Sequence, residues 1–146
     1  MKLVLLLIVP LLLSEAIDPC GVLKGFGSSF AGESCSRNTN GICTSVLNIR
    51  IHIKMLINGN MDALYLLIQD LFTLYGNIMN SDITCRWISS FNQFIKNLPQ
   101  LPFILITNYE RIINDVKCIN KSFKTEDSFQ LGFCSGDIAK ILTMPY

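Results

Sequence analysis

Six cysteines limit the folds open to this 146-residue chain more than any other feature. They all follow an apolar leader, and an even number of cysteines in a secreted chain predicts three disulfides. A metal site would need closely spaced pairs such as C-x2-C, whereas 14, 7, 41, 32 and 15 residues separate successive cysteines here. We therefore expect disulfides, and neither a metal nor a cofactor. The predicted disulfide residues are Cys20, Cys35, Cys43, Cys85, Cys118 and Cys134.

The amino terminus predicts secretion. A short positive start precedes an 11-residue apolar run over 3–13, and Ser14 and Ala16 place small residues before a cleavage point. This is the layout of a secretory signal peptide, and 11 residues cover only about half of a ~30 Å hydrocarbon layer. We therefore predict a signal peptide over 1–16. The mature chain, 17–146, is expected to be extracellular and to have no membrane span.

The mature chain is predicted to be a single all-α domain whose first part differs from the rest. Residues 17–43 hold five of the nine glycines and three of the cysteines. Without helical periodicity, this composition indicates an irregular segment that disulfides hold onto the body. A turn within the segment would allow Cys35 and Cys43 to pair locally. Residues 44–146 are expected to form a small bundle of four to five helices.

Residues 47–55 are ambiguous between a strand and a helix. Apolar and polar side chains alternate strictly along them, which is typical of a half-buried strand. Against this interpretation, the chain offers no partner strand, and Thr44 or Ser45 can cap a helix. We favour the helix and keep the strand as the alternative.

The rest of the chain shows the 3–4 spacing of helices, with polar caps and prolines marking their ends. Pro99 ends one helix, and Pro102 suits the first turn of the next. We predict helices over 61–79, from 81 or 82 to 98, from 102 through 116, and from a Thr125 cap through 142.

Catalytic motifs are weak in this sequence. His52 is the only histidine, which removes most acid–base and metallohydrolase arrangements. Residues 132–136 match a cysteine version of the nucleophile elbow, but that motif needs a preceding strand and a nearby histidine. We interpret Gly132 and Gly136 as a surface that a neighbouring helix or the N-terminal segment can approach closely. We therefore expect no enzymatic activity.

Charge and one glycosylation motif bear on the partners. A net charge of +1 without basic clusters argues against nucleic acid and anionic membrane surfaces. Asn120-Lys121-Ser122 is an N-x-[ST] sequon between two predicted helices, which predicts a glycan on Asn120. Half of all residues are hydrophobic, which indicates a filled core, a ligand cavity or an apolar patch.

Together these features predict a secreted, non-catalytic binding module for a small apolar ligand or an extracellular protein partner. The alternative is an extracellular structural or assembly component that self-associates through an apolar face. We expect the ligand site where three neighbouring helices present bulky apolar side chains at helical spacing. Its predicted lining is Leu71, Tyr75, Trp87, Phe91, Ile112 and Val116.

Overall fold

The computed structural model describes residues 15–145, and within that range the chain is helical and contains no strand. Residues 1–14, which hold most of the predicted signal peptide, lie outside the described part. The helices are α1 (Pro19–Ala31), α2 (Glu33–Asn38), α3 (Asn40–Ile57), α4 (Ala63–Cys85), α5 (Trp87–Asn97), α6 (Leu101–Thr107), α7 (Tyr109–Thr125) and α8 (Ser128–Thr143), with a 3-10 turn at Leu98–Gln100. The predicted all-α, disulfide-bonded architecture is confirmed, with more helical segments than the four or five expected.

Residues 17–43 are largely helical, in contrast to the irregular segment that the composition predicts for this range. Asp18 caps α1, since its side chain accepts from the backbone N–H of Cys20 and of Gly21, each at 3.0 Å. The residue that follows the cap is a proline, which suits the first helical position. Gly21 and Gly25 lie four apart and face α8. Their role is to let α1 and α8 pack closely, although glycines at this density are typical of a loop.

Glycines on α8 let α1 approach at backbone distance. A Cβ added to Gly132 would lie 1.9 Å from the carbonyl oxygen of Val22, and one added to Gly136 would lie 2.6 Å from that of Phe26. No side chain fits at such distances, so each glycine is required by the crossing. The predicted role of Gly132 and Gly136 in close approach is confirmed, and the element that approaches is α1.

Three disulfides pair all six predicted cysteines. The local pairing of Cys35 with Cys43 that a turn would allow does not occur, because Cys35 lies on α2 and Cys43 on α3 and the two face different neighbours. The first disulfide joins α1 to α3, the second joins α2 to the end of α4, and the third joins α7 to α8. The pairs are Cys20–Cys43, Cys35–Cys85 and Cys118–Cys134.

Residues 47–55 lie within α3, so the helical interpretation is confirmed. The alternating pattern does not correspond to alternating burial. Ile49 is 6% exposed whereas Ile51, two positions later, is 54% exposed. In a strand these two side chains would share a face. On α3 they point to different sides, because the helix packs one side along α4.

The predicted helix break at Ser81 or Asp82 is wrong. α4 continues to Cys85 and ends at Arg86, whose φ of 54° and ψ of 41° are left-handed. The N–H of Arg86 donates to the carbonyl oxygen of Asp82 at 2.8 Å. Ser81, proposed as the start of the next helix, is buried inside α4 and accepts a hydrogen bond from Trp87 Nε1 at 2.8 Å.

Two further helix boundaries differ from the prediction. The single helix expected from Pro102 is divided at Asn108, whose side-chain Nδ2 donates to the carbonyl oxygen of Ile104 at 2.9 Å. The last helix begins after Asp127 rather than Thr125. The Asp127 side chain accepts a backbone N–H of the first turn at 2.9 Å and is therefore the cap.

The buried core is built largely from isoleucine side chains and disulfides. α1 packs most extensively on α8, α3 packs along α4, and α7 packs on α8. The buried apolar residues are Ile17, Cys35, Ile42, Cys43, Ile49, Ala63, Cys85, Ile104, Leu131, Cys134 and Ile141. Phenylalanine, tyrosine and tryptophan are missing from this set, so much of the aromatic surface of the described residues remains in contact with solvent.

Candidate functional site

The six side chains predicted to line one apolar site do not meet in one enclosure. They are Leu71 and Tyr75 on α4, Trp87 and Phe91 on α5, and Ile112 and Val116 on α7. Leu71, Tyr75 and Phe91 are more than half exposed to solvent. Of the three helices that carry these residues, α4 and α7 have different neighbours, since α4 packs along α3 and α7 packs on α8. Only the two residues on α4 stay together in one surface feature.

Trp87 is held by intramolecular packing. Its ring centroid lies 5.9 Å from that of Phe26 and 5.3 Å from that of Phe30, so it stacks on side chains of α1. Its Nε1 donates to the hydroxyl of Ser81. The tryptophan therefore joins α1, α4 and α5, and Phe91, one turn further along α5, lies on the surface.

One face of α4 is occupied by the rest of the molecule. The Asp70 carboxylate contacts His52 of α3. Asn77 Nδ2 donates to the carbonyl oxygen of Gly41 and to Ser45 Oγ, both at 2.9 Å. We call this the inner face of α4. Its members recur every three or four residues and are Ala63, Leu67, Asp70, Leu74, Asn77, Ser81 and Cys85.

A second apolar face of α4 is open to solvent, on roughly the opposite side of the helix. Its members again alternate spacings of three and four, as the a and d positions of a coiled coil do. Their exposed fractions are 66%, 46%, 75%, 64% and 39% in chain order. We call these residues the outer face, and they are Tyr65, Ile68, Phe72, Tyr75 and Met79.

The outer face carries no charge. The charged residues of α4 are Asp70, which contacts His52 on the inner face, and Asp82, whose Oδ1 accepts the backbone N–H of Ile88 at 2.8 Å. An open, almost wholly apolar pocket of about 450 Å³ lies along the outer face. It is lined by Ile68, Leu71, Phe72 and Tyr75, and it therefore contains two of the predicted ligand-lining residues.

The sequence patterns do not predict the contact between His52 and Asp70. The two side chains are only 18% and 14% exposed, and Nδ1 of the histidine meets Oδ2 of the aspartate. His52 lies on α3 and its partner lies on α4. Nothing in local spacing indicates which of the scattered carboxylates will face it.

Two carboxylates and one arginine form a cluster between α7 and α8. Arg111 donates through Nε and Nη2 to the two oxygens of Asp137, at 2.9 and 2.6 Å. These bonds lower the pKa of Asp137. Burial, and then the charge of Asp137, raise the pKa of Asp115. The cluster lies beside an open, mixed polar and apolar cavity of about 720 Å³. The ion pair between Arg111 and Asp137 indicates that the cluster serves to join α7 to α8.

The sequence predicts that the sequon lies between two helices, but in the structure it lies within α7. Asn120 and Ser122 are both inside α7. Asn120 is exposed, whereas Ser122 is buried and its carbonyl oxygen accepts the N–H of Asp127, where the chain turns into α8. The asparagine side chain is thus accessible on a helix surface, and glycosylation of Asn120 stays a prediction.

Comparison with protein-family models, curated proteins and solved structures finds no match to this chain. Among the helices described within residues 15–145, none combines the length and the hydrophobicity needed to cross a bilayer. The defining feature of the candidate site is the outer face of α4.

Proposed function

We propose that this chain is a secreted, non-catalytic binding module that docks onto an apolar protein surface through the outer face of α4. The observation that carries the proposal is a line of five uncharged, solvent-exposed side chains, three of them aromatic, on one helix. Removing apolar surface from water contributes about 25 cal/mol per Å². Aromatic side chains are also the residues that most often dominate binding energy at interfaces.

Secretion is supported by the combination of the apolar leader and the disulfides. Three disulfides use every cysteine of the chain, and such usage is typical of oxidising, extracellular compartments. It also supports the absence of catalysis, because no thiol is left to act as a nucleophile. The single histidine contributes to helix packing through Asp70.

The shape of the outer face favours a protein partner. Small-molecule sites are concave and bury about 70–90% of the ligand surface, whereas the outer face is the convex side of a helix. A small apolar ligand is the second candidate. It is favoured by the open pocket that Ile68, Leu71, Phe72 and Tyr75 line.

Hydroxyl-radical labelling of protein isolated from its natural source without organic solvent tests the proposal. Phe72 is 75% exposed and Phe103, on α6, is 61% exposed, so the two should react at similar rates in the isolated chain. We expect Phe72 and Tyr65 to react several-fold more slowly than Phe103 in the native material. Mild chemical denaturation should restore their reactivity.

Equal labelling of Phe72 and Phe103 in the native material would contradict the proposed function, because the outer face would then be uncovered. Protection of Phe72 in a sample that releases lipid-like material into organic solvent would favour the small-ligand candidate instead. Mass spectrometry of the same extract reports both results.

A further inference from the structure

We propose that the partner of the outer face is a second copy of this chain, docked antiparallel so that the two α4 helices form a symmetric pair. The inference rests on the proposed function, because it names the occupant of the same face. Three features of α4 support it: the order of the side chains, the absence of like charges that would face each other, and the area of the outer face.

The order of side chains on α4 is self-complementary. The outer face is symmetric in spacing about residue 70, and an isologous contact places each residue against its mirror position. Tyr65 then faces Tyr75 of the second copy, and Ile68 faces Phe72. Met79 faces Met61, which is 70% exposed and lies just before α4. Each layer pairs an a-type with a d-type position, as antiparallel helix pairs require.

The flanks of the face bring no like charges together. On one side lie Leu64, Leu71 and Ile78, which are seven residues apart and so share one flank of the helix. Leu71 would meet Leu71 of the second copy at the symmetry axis. On the other side, Gln69 would meet Gln69 of the second copy. Gly76 also lies on this side, and a Cβ added there would meet no atom within 4 Å. A paired copy therefore meets no electrostatic penalty along α4.

The area of the face is close to what a stable dimer requires. Fully buried aromatic side chains bury about 150–250 Å² each, so Tyr65, Phe72 and Tyr75 at 66%, 75% and 64% exposure offer on the order of 400 Å². The exposed parts of Ile68, Leu71, Met79 and Met61 add a comparable area. A standard-size interface takes about 800 Å² from each partner, so the outer face together with Leu71 and Met61 offers close to that area.

Sedimentation equilibrium of the disulfide-bonded protein tests the proposal. We expect the wild type to be a dimer at about 50 µM and to dissociate on dilution. Phe72→Glu should weaken the dimer at least a hundred-fold, because it places a carboxylate inside the apolar seam. Phe103→Glu is the matched control and should leave the mass unchanged, since Phe103 lies on α6. Far-UV circular dichroism checks that both variants fold, and both changes are at exposed positions.

A charge pair tests the antiparallel register. Tyr65→Glu alone should weaken the dimer. Adding Tyr75→Lys in the same chain should restore it, because each carboxylate then faces an ammonium group of the other copy. A parallel pair would place like charges together, and the double variant would be the weakest of all. Failure of the double variant to recover association would overturn the antiparallel arrangement.

A monomeric wild type up to about 200 µM, or a dimer that Phe72→Glu leaves intact, would overturn the proposed self-association. The labelling of Phe72 separates this failure from that of the proposed function. A monomer whose Phe72 is protected in native material has another partner, and the docking role stands. A monomer whose Phe72 reacts readily in native material would contradict both the self-association and the docking role.

Discussion

Three glycines that lie inside helices have opposite roles at their different positions. Gly25 and Gly132 sit at the crossing of α1 and α8, where an added Cβ would lie 2.0 and 1.9 Å from backbone oxygens of the other helix. Gly76 lies in the middle of α4, and an added Cβ there would meet nothing within 4 Å. The first two glycines set an interhelical distance, whereas the third only lowers the helix propensity of α4.

The same substitution should therefore change stability in opposite directions at two sites. Gly132→Ala should destabilise the fold by about 3 kcal/mol or more, because the backbones of α1 and α8 must move apart. Gly76→Ala should stabilise it by about 0.5–1 kcal/mol. Urea unfolding of the disulfide-bonded variants at one low protein concentration measures both. A Gly132→Ala variant as stable as the wild type would contradict the close crossing.

The carboxylates between α7 and α8 should make stability depend on pH. Asp115 has a raised pKa because of burial and Asp137, so its contribution is fully present below the unfolded value near 3.8 and is lost as pH rises through the folded value. Asp137 has a lowered pKa, so its contribution is present at neutral pH and is lost as pH falls through the folded value.

Asp115→Asn should accordingly stabilise the protein at pH 7. The amide can donate to Asp137 without a charge, and the gain should be under about 1 kcal/mol because the site is partly solvated. The gain should disappear below pH 3.8, where the wild-type carboxyl is protonated in both states. Urea midpoints between pH 3 and 7 measure this difference. A variant less stable than the wild type at pH 7 would show that ionised Asp115 is favourable.

At the scale of single elements, α4 explains the unusual surface of the molecule. Its inner face packs on α3 through Asp70 and Asn77, and its outer face has the same spacing but no partner in the described chain. An apolar helix face is normally buried against another element. α4 is therefore built as a helix with room for one more neighbour.

The sequence predicted helices from spacing but could not assign their faces. Leu71 and Tyr75 fit an inward stripe as well as an outward one, since both stripes of α4 have the same period. The breaks at Arg86 and Glu126 are predicted too early in the chain, because both residues adopt left-handed φ without being glycine. The all-α class and the paired cysteines follow from composition and periodicity, whereas the disulfide partners depend on tertiary packing that local patterns do not encode.

The disulfides also differ in what they contribute at the scale of elements. Cys35–Cys85 closes a separation of 50 residues, and Cys118–Cys134 closes one of 16. Since the entropy removed from the unfolded chain grows with loop length, replacing the first pair by alanine should cost about 1 kcal/mol more than replacing the second. Urea unfolding of the two double variants checks this. Equal losses would indicate that contacts in the folded state outweigh chain entropy.

For the whole molecule, the distribution of apolar residues is the central result. The interior holds aliphatic side chains, mainly isoleucine, and disulfides, while most of the large aromatic residues are on the surface. The predicted enclosed site would have placed these aromatics inside. A molecule arranged in this way gains stability when its outer surface is covered, and the outer face of α4 is the most regular part of that surface.

The most direct test is photo-crosslinking from the centre of the outer face. Phe72→p-benzoyl-phenylalanine keeps an aromatic side chain there and, on irradiation, forms a bond with whatever covers it. The proposed α4 pair predicts a covalent dimer whose cross-linked peptide maps to Ile68 and its neighbours on the second copy. A monomer after irradiation, or a dimer linked through another helix, would contradict it.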